Sequence, residues 1–262
     1  MSLINDSGLI RKGELAPGGF TTVFVGSLFS YEGNSTMCGR YTLFVSGQKL
    51  TDYFDLSEPF NWEPRYNISP GETIPMFGLK SDSNDLGIHQ FRWGLIPHWV
   101  DDLNDFGGNI INARSETVNE KPSFRESFRE RRGMIPSTGF YEWKQEDGEK
   151  QPYFISRTDE KPFCFAGLWD RWRSEQDEQH IESCVILTTD AIGPFKKIHH
   201  RMPLIISKDN FDRWLSPESK DDLERCLVDH PDPNSWDAVP VDSKVNRAVY
   251  DERDCIEPVQ TE

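Results

Sequence analysis

Hydrophobic residues recur along the chain in short runs rather than long amphipathic stretches, and the texture changes at position 37. Residues 41–45, 74–79 and 88–93 are brief runs rich in aromatic and β-branched side chains, the composition of strands. Between the first two, 48–54 predicts a short helix, and 59–75, punctuated by Pro, Asn and Gly, predicts a loop. A helix is expected over 123–131, opened by Pro122, with Arg129, Arg131 and Arg132 suited to the negative end of its dipole. Strand-like runs then follow closely at 139–143, 153–156, 163–168, 183–188 and 204–206. No helix long enough for a parallel crossover separates them, so they predict an antiparallel sheet. Helices over 208–215 and 218–227 and a strand around 238–241 complete the pattern.

Residues 1–36, rich in Gly and Ser, carry neither helical nor strand periodicity and predict a disordered or non-native extension. The expected organisation is one mixed α+β domain over 37–250, followed by a C-terminal tail at 251–262. The 262 residues, 36% of them hydrophobic and 12% aromatic, supply a sizeable core. Against 29 Lys and Arg stand 44 Asp and Glu, a net charge of -15, which excludes a protein that coats nucleic acid or anionic membrane. Only 12 of the basic residues are Lys, a pattern shared by halophilic surfaces and by ordinary solvated faces. Residues 37–132 are nearly balanced at +11 and -14, whereas 133–262 carry +16 and -27. Any nucleic-acid contact must therefore be local.

Five cysteines without a C-x-x-C pair indicate neither a disulfide framework nor a zinc site, and no metal is expected. A reducing, cytoplasmic setting follows. The longest apolar stretch near the N-terminus, 20–29, falls short of the roughly 20 residues of a membrane helix, and no A-x-A cleavage site follows it.

Four clusters could carry chemistry. Met37-Cys38-Gly39-Arg40-Tyr41 reads like a translation start inside the chain. With Met37 removed, Cys38 would present a free amine and a thiol, a pair that condenses with an aldehyde and closes a five-membered ring; otherwise it is an ordinary internal Cys. Residues 111–117 crowd Asn112, Arg114 and Glu116 before a helix, groups that can orient a carbonyl or fork onto a phosphate, or simply cap a turn. In Gly139-Phe140-Tyr141-Glu142-Trp143, strand alternation points Glu142 with Phe140. A carboxyl turned that way toward an apolar interior becomes a candidate acid or base, whereas at a sheet edge it is only solvated. His199 and His200, on an extended segment, would point to opposite sides, one to a site and one to solvent.

In order, M-C-G-R-Y, Y-N-I-S-P-G, W-G-L-I-P-x-W, I-N-A-R-S-E-T, G-F-Y-E-W and I-H-x-R-M-P are similar to the motifs of the SOS response-associated peptidase (SRAP) family of abasic-site shielding proteins. The resemblance runs from Met37 to about Asn246. It implies a compact domain with a barrel-like sheet core and flanking helices. It also implies covalent capture of abasic sites in single-stranded DNA as a thiazolidine on Cys38, with lyase and autopeptidase activities as companions. Carried over residue by residue, Cys38 is the nucleophile, Asn112 a group positioning its amine or the opened sugar, Glu142 the acid/base and His199 the group that binds or protonates the opened sugar oxygen. Arg40, Arg114 and Arg201 correspond to phosphate contacts, and Trp93, Trp99 and Trp143 to groups stacking on bases. No cofactor or membrane is implied, and a monomer acting on the nucleoid is expected.

One departure from the family pattern matters. Here 36 residues and Met37 precede Cys38, and an acylated nitrogen cannot form a Schiff base. Either translation begins at Met37 or the chain is cut before Cys38. An N-terminal-nucleophile amidohydrolase, which also begins Met-Cys-Gly, and a non-covalent damaged-base reader are the alternatives.

Overall fold

The computed structural model describes residues 39–79, 85–103, 106, 108–146, 148–174 and 179–259; the N-terminal extension, Met37 and Cys38 lie outside them. Among the described residues the strands are β1 (Arg40–Leu43), β2 (Arg65–Ile68), β3 (Thr73–Leu79), β4 (Leu86–Trp93), β5 (Asn112–Arg114), β6 (Arg132–Ser137) and β7 (Gly139–Glu146), then β8 (Glu149–Arg157), β9 (Phe163–Arg173), β10 (His180–Asp190), β11 (Arg201–Pro203), β12 (Ile205–Ile206) and β13 (Trp236–Pro240). The helices are α1 (Gly47–Phe54), α2 (Arg125–Glu130), α3 (Phe211–Leu215) and α4 (Lys220–Val228).

One sheet runs β13-β8-β7-β1-β2. The other runs β10-β4-β3-β6-β9, and β9 pairs back onto β10, so its strands form a closed ring. β5 and β11 join it beside β10, and β12 joins beside β9. Closure removes free edges from the ring. The expected α+β class with a mainly antiparallel sheet is what forms. The exceptions are the parallel pairings of β10 with β4 and β5, both reached after long excursions of chain.

Local chemistry explains the elements. α1 opens at Ser46, whose hydroxyl accepts from the Lys49 N–H, and buries Leu50 and Phe54, four residues apart on one face. Arg132, expected at the C-terminal end of the second helix, starts β6 instead, yet its guanidinium donates to the last carbonyls of α2, at Phe128 (2.6 Å) and Arg129. β10 is buried on both faces from Ser183 to Thr189, hence its continuous apolar run. Gly133 and Gly167 lie opposite each other where β6 meets β9, and Met76 occupies the space that a Cβ on either would need.

β7 separates two apolar clusters. Phe140 packs in the main core, while Tyr141 and Trp143 pack with Val241, Val245 and Cys255 on the other side. The alternation expected at 139–143 is therefore present.

Four short strands, β2, β5, β6 and β11, fall where none was expected. β2 lies inside the expected loop 59–75, because its path is held by a side chain from far away: Asp251 Oδ1 accepts from the N–H groups of Tyr66 (2.5 Å) and Asn67 (2.8 Å), and Asp251 also pairs with Arg65. β6, with Gly133 and Pro136, has too little alternation to read as a strand. Asp251 corrects the expectation of a C-terminal tail as well. Cys255 is buried, Val241 bridges to Pro258, and the Val259 N–H bonds to the Pro240 carbonyl, so 251–259 are part of the fold. Asp251→Ala would strand two strand N–H groups and leave Arg65 without one of its two carboxylates. We expect a loss of about 2 kcal/mol in urea unfolding; an unchanged midpoint would mean that the C-terminal segment merely rests on β2.

Candidate active site

Glu142 comes to the main core because β7 alternates and both of its faces are covered. It is 3% exposed, and His199 Nδ1 lies 4.0 Å from its Oε2, within ion-pair range but beyond a hydrogen bond. His199 follows the 3₁₀ turn Gly193–Lys197, and its N–H bonds to the Phe195 carbonyl. Its Nδ1 stands 3.1 Å from the Arg201 N–H and 3.3 Å from the Arg201 carbonyl; a proton on Nδ1 is donated to that carbonyl and leaves the Nε2 lone pair free to accept. Burial pushes the His199 pKa below its usual value, and the neighbouring His200 and Arg201 add to this, while the backbone bond to Arg201 opposes it. Burial thus disfavours the charged form of an imidazole that lies beside a buried carboxyl.

The two histidines do not diverge as expected. Their ring centroids are 4.3 Å apart, because the segment leaving the 3₁₀ turn is not extended; His199 is half-buried and His200 exposed.

Asn112 starts β5 opposite Ile186 of β10, and Arg114 lies two residues on, opposite Thr188. Arg114 is exposed and has no side-chain hydrogen bond or ion pair among the described residues. Arg201 reaches the same Thr188 from β11, donating to its carbonyl at 2.7 Å. The fork of Arg201 is otherwise filled by Glu116 (2.5 and 2.9 Å) and Asp190 (2.6 Å). Its hydrogen bonds hold the Glu116 carboxyl below the usual carboxylate range. With Arg201 only 4% exposed, a phosphate reaches it only by displacing one of these carboxylates.

Arg40 begins β1 and pairs with Tyr141, the neighbour of Glu142. Its guanidinium donates to Asn67 Oδ1 (3.0 Å) and to the carbonyls of Val245 (2.6 Å) and Asn246 (3.2 Å). Trp143 Nε1 donates to Asn246 Oδ1 at 2.8 Å. Asn67 and Asn246 were not singled out from sequence, although Asn67 sits inside Y-N-I-S-P-G and Asn246 marks the end of the stretch that resembles the family.

The three tryptophans part ways. Trp93 is fully buried, donates Nε1–H to the Ile111 carbonyl at 3.0 Å and meets Tyr41 edge-on, so it is core and has no face to offer a base. Trp99, on the loop after β4, is 51% exposed, and Trp143 is half-buried. Gly94 opens that loop at φ +134°, a conformation few other residues adopt. Among the described residues no group of His, Cys, Asp and Glu is arranged to hold a metal ion, and no helix is long and apolar enough to cross a membrane.

The fold and site define a class: a ring-sheet α+β domain that places a buried carboxyl and a half-buried imidazole together, beside the strand that begins two residues after Cys38. The family model of the SOS response associated peptidase (SRAP) matches residues 37–248. The chain belongs to that family. It is 38% identical over 216 residues to the abasic site processing protein YoaM of Bacillus subtilis, covering 80% of this chain and 93% of that protein. It is 28% identical over 237 residues to the abasic site processing protein HMCES of Xenopus tropicalis, covering 80% and 70%. A crystal structure of a protein from Bacteroides thetaiotaomicron superposes with a TM-score of 0.75 at 27% identity, covering 85% of this chain and all of that one.

His199 provides a direct check. Its ring titration followed by NMR should have a midpoint below 6.5. Because the unfolded chain takes up this proton first, the stability contribution is complete above the unfolded value and is lost as pH falls through the folded one. A midpoint at or above 6.5 would contradict the burial of the ring.

Proposed function

We propose that this protein captures abasic sites in single-stranded DNA by forming a thiazolidine with Cys38 once that residue is N-terminal. One observation carries the reading: β1, which begins two residues after Cys38, is paired to β7 beside Glu142, and His199 lies 4.0 Å from that carboxyl. Two peptide units span at most about 7 Å, so the chain itself tethers Cys38 close to the start of β1. The names carried by relatives such as YoaM and HMCES support abasic DNA as the substrate.

The chemistry follows from the groups present. An abasic sugar in its open form is an aldehyde. The Cys38 α-amine adds to that carbon, a proton is transferred to the departing hydroxyl, and water leaves to give the Schiff base. The Cys38 thiolate then adds to the same carbon and the nitrogen takes up a proton, giving the ring with one water lost overall. Glu142 passes protons between the amine and the departing hydroxyl on the carbon being attacked, and His199 takes the proton of the sugar's C1 hydroxyl as the ring opens and returns it to the opened sugar oxygen. Asn112 holds the amine or the opened sugar. The Schiff base also acidifies the adjacent C–H, so strand scission by β-elimination competes until the thiol closes the ring. Free thiazolidine formation needs the amine unacylated, which initiation at Met37 followed by Met removal provides, and which cleavage before Cys38 would provide equally.

Phosphate contact falls mainly to Arg114, the exposed member of the arginine set, with Trp99 and Trp143 as stacking surfaces. A net charge of -15 keeps the encounter weak, so the covalent bond rather than affinity holds the DNA.

The test compares the 262-residue chain with protein started at Met37, each incubated with an oligonucleotide bearing one abasic site and then boiled in detergent. The Met37-started protein should give a heat-stable adduct that Cys38→Ala abolishes. Glu142→Gln should slow adduct formation by about a hundredfold, and the rate should fall as His199 protonates below neutrality. An adduct that persists in Cys38→Ala, or none from the Met37-started protein, overturns the proposal.

A further inference from the structure

The segment after β13 touches two of the candidate DNA-contacting residues at once. Asp242 Oδ1 accepts from the Lys244 N–H at 2.8 Å and shapes the 3₁₀ turn Ser243–Asn246, and Val245 is fully buried in the second cluster. Behind the turn stands Asn67, itself fully buried. Its Nδ2 faces the carbonyls of Val245 (3.1 Å), Arg247 (3.1 Å) and Tyr250 (2.7 Å), while its Oδ1 accepts from Arg40. In front, the Val245 and Asn246 carbonyls take the Arg40 guanidinium, and Asn246 Oδ1 takes the Trp143 indole N–H.

We infer that this turn is a strap that positions Arg40 and Trp143 relative to each other for contact with single-stranded DNA, and that Asn246 is the positioning residue through which Trp143 is set. The inference rests on the DNA reading above. The physical ground is that Trp143 is half-buried and Asn246 exposed. An indole at a surface gains little orientation from packing on one side, and a fixed acceptor for Nε1–H removes its remaining freedom. Arg40 has carbonyl and amide oxygens and no carboxylate among its hydrogen-bond partners, with Glu72 acting on it only through space, so its charge is less neutralised toward an approaching phosphate than one held in direct carboxylate pairs. Arg201, by contrast, already faces two carboxylates. The strap thus holds a cation without neutralising it, at the first residue of the strand that Cys38 leads into.

Because Asn246 is exposed, Asn246→Ala should leave the fold intact. In the full chain with ¹⁵N-labelled tryptophan, the Trp143 indole proton, assigned through Trp143→Phe, should exchange at least about tenfold faster in Asn246→Ala. Asn246→Asp, which keeps the acceptor, should exchange like the wild type. The dissociation constant for a lesion-free single-stranded oligonucleotide should rise about fivefold in Asn246→Ala, the order expected for one lost hydrogen bond. In a Trp143→Phe background, which has no indole donor, the same substitution should change affinity less than about twofold. Unchanged indole exchange, unchanged affinity, or an equal loss in both backgrounds overturns the inference. Failure of the covalent reading shows separately, as an absent heat-stable adduct with this affinity series intact. A wild-type chain that does not bind the oligonucleotide overturns both.

Discussion

Two-sided burial of one strand governs the site. β7 lies between the main core and a second cluster built largely from the C-terminal segment, and its alternation leaves no solvent face for residues 139–142. Phe140 and Tyr141 are then ordinary interior side chains on opposite faces. Glu142 is not, because a buried carboxyl must be partnered, protonated or used. It lies 4.0 Å from an imidazole whose own charged form is disfavoured by burial, and this pair is the one to which the proposed chemistry assigns the proton transfers. The second cluster thus bears on the proposed chemistry: without Val241, Val245 and Cys255 covering β7, Glu142 would stand at a wetter edge.

The same economy appears in the cations. The protein carries a large excess of acid, yet its candidate phosphate contacts fall into three different electrostatic settings. Arg201 is buried between Glu116 and Asp190, Arg40 is cradled by neutral oxygens, and Arg114 is open. A ring of strands fixes the first and third on either side of Thr188, and the strap after β13 fixes the second beside β7. A weakly bound strand of DNA would therefore meet few positive charges, set in a rigid frame, which suits a protein whose proposed hold on its substrate is a covalent bond.

Much of this was legible in the sequence because it is written locally. The strand runs at 41–45, 74–79, 88–93 and 139–143, the helix at 48–54 and the facing of Glu142 follow from alternation and capping within a few residues. What escaped was set by partners distant in the chain. β2 owes its path to Asp251, some 180 residues away, and the parallel pairing of β10 with β4 and β5 depends on ring closure. The roles of Asn67 and Asn246 come from carbonyls that have no signature in sequence. Trp93 stood in a motif beside Trp99 and was, of the three tryptophans, the one most expected to be core instead, as the packing of Tyr41 and the Ile111 carbonyl around it shows. The two histidines were misjudged because adjacent residues diverge only on extended backbone.

The central claim is that the amine and thiol of one residue, Cys38, form the bond to DNA. Peptide mass mapping of the adduct after nuclease and trypsin digestion addresses it most directly. The account predicts a peptide beginning at Cys38 and ending at Arg40, carrying the sugar remnant at the mass of simple addition less one water. An adduct on a lysine-containing peptide, or on a peptide in which Cys38 remains joined to Met37, would contradict it.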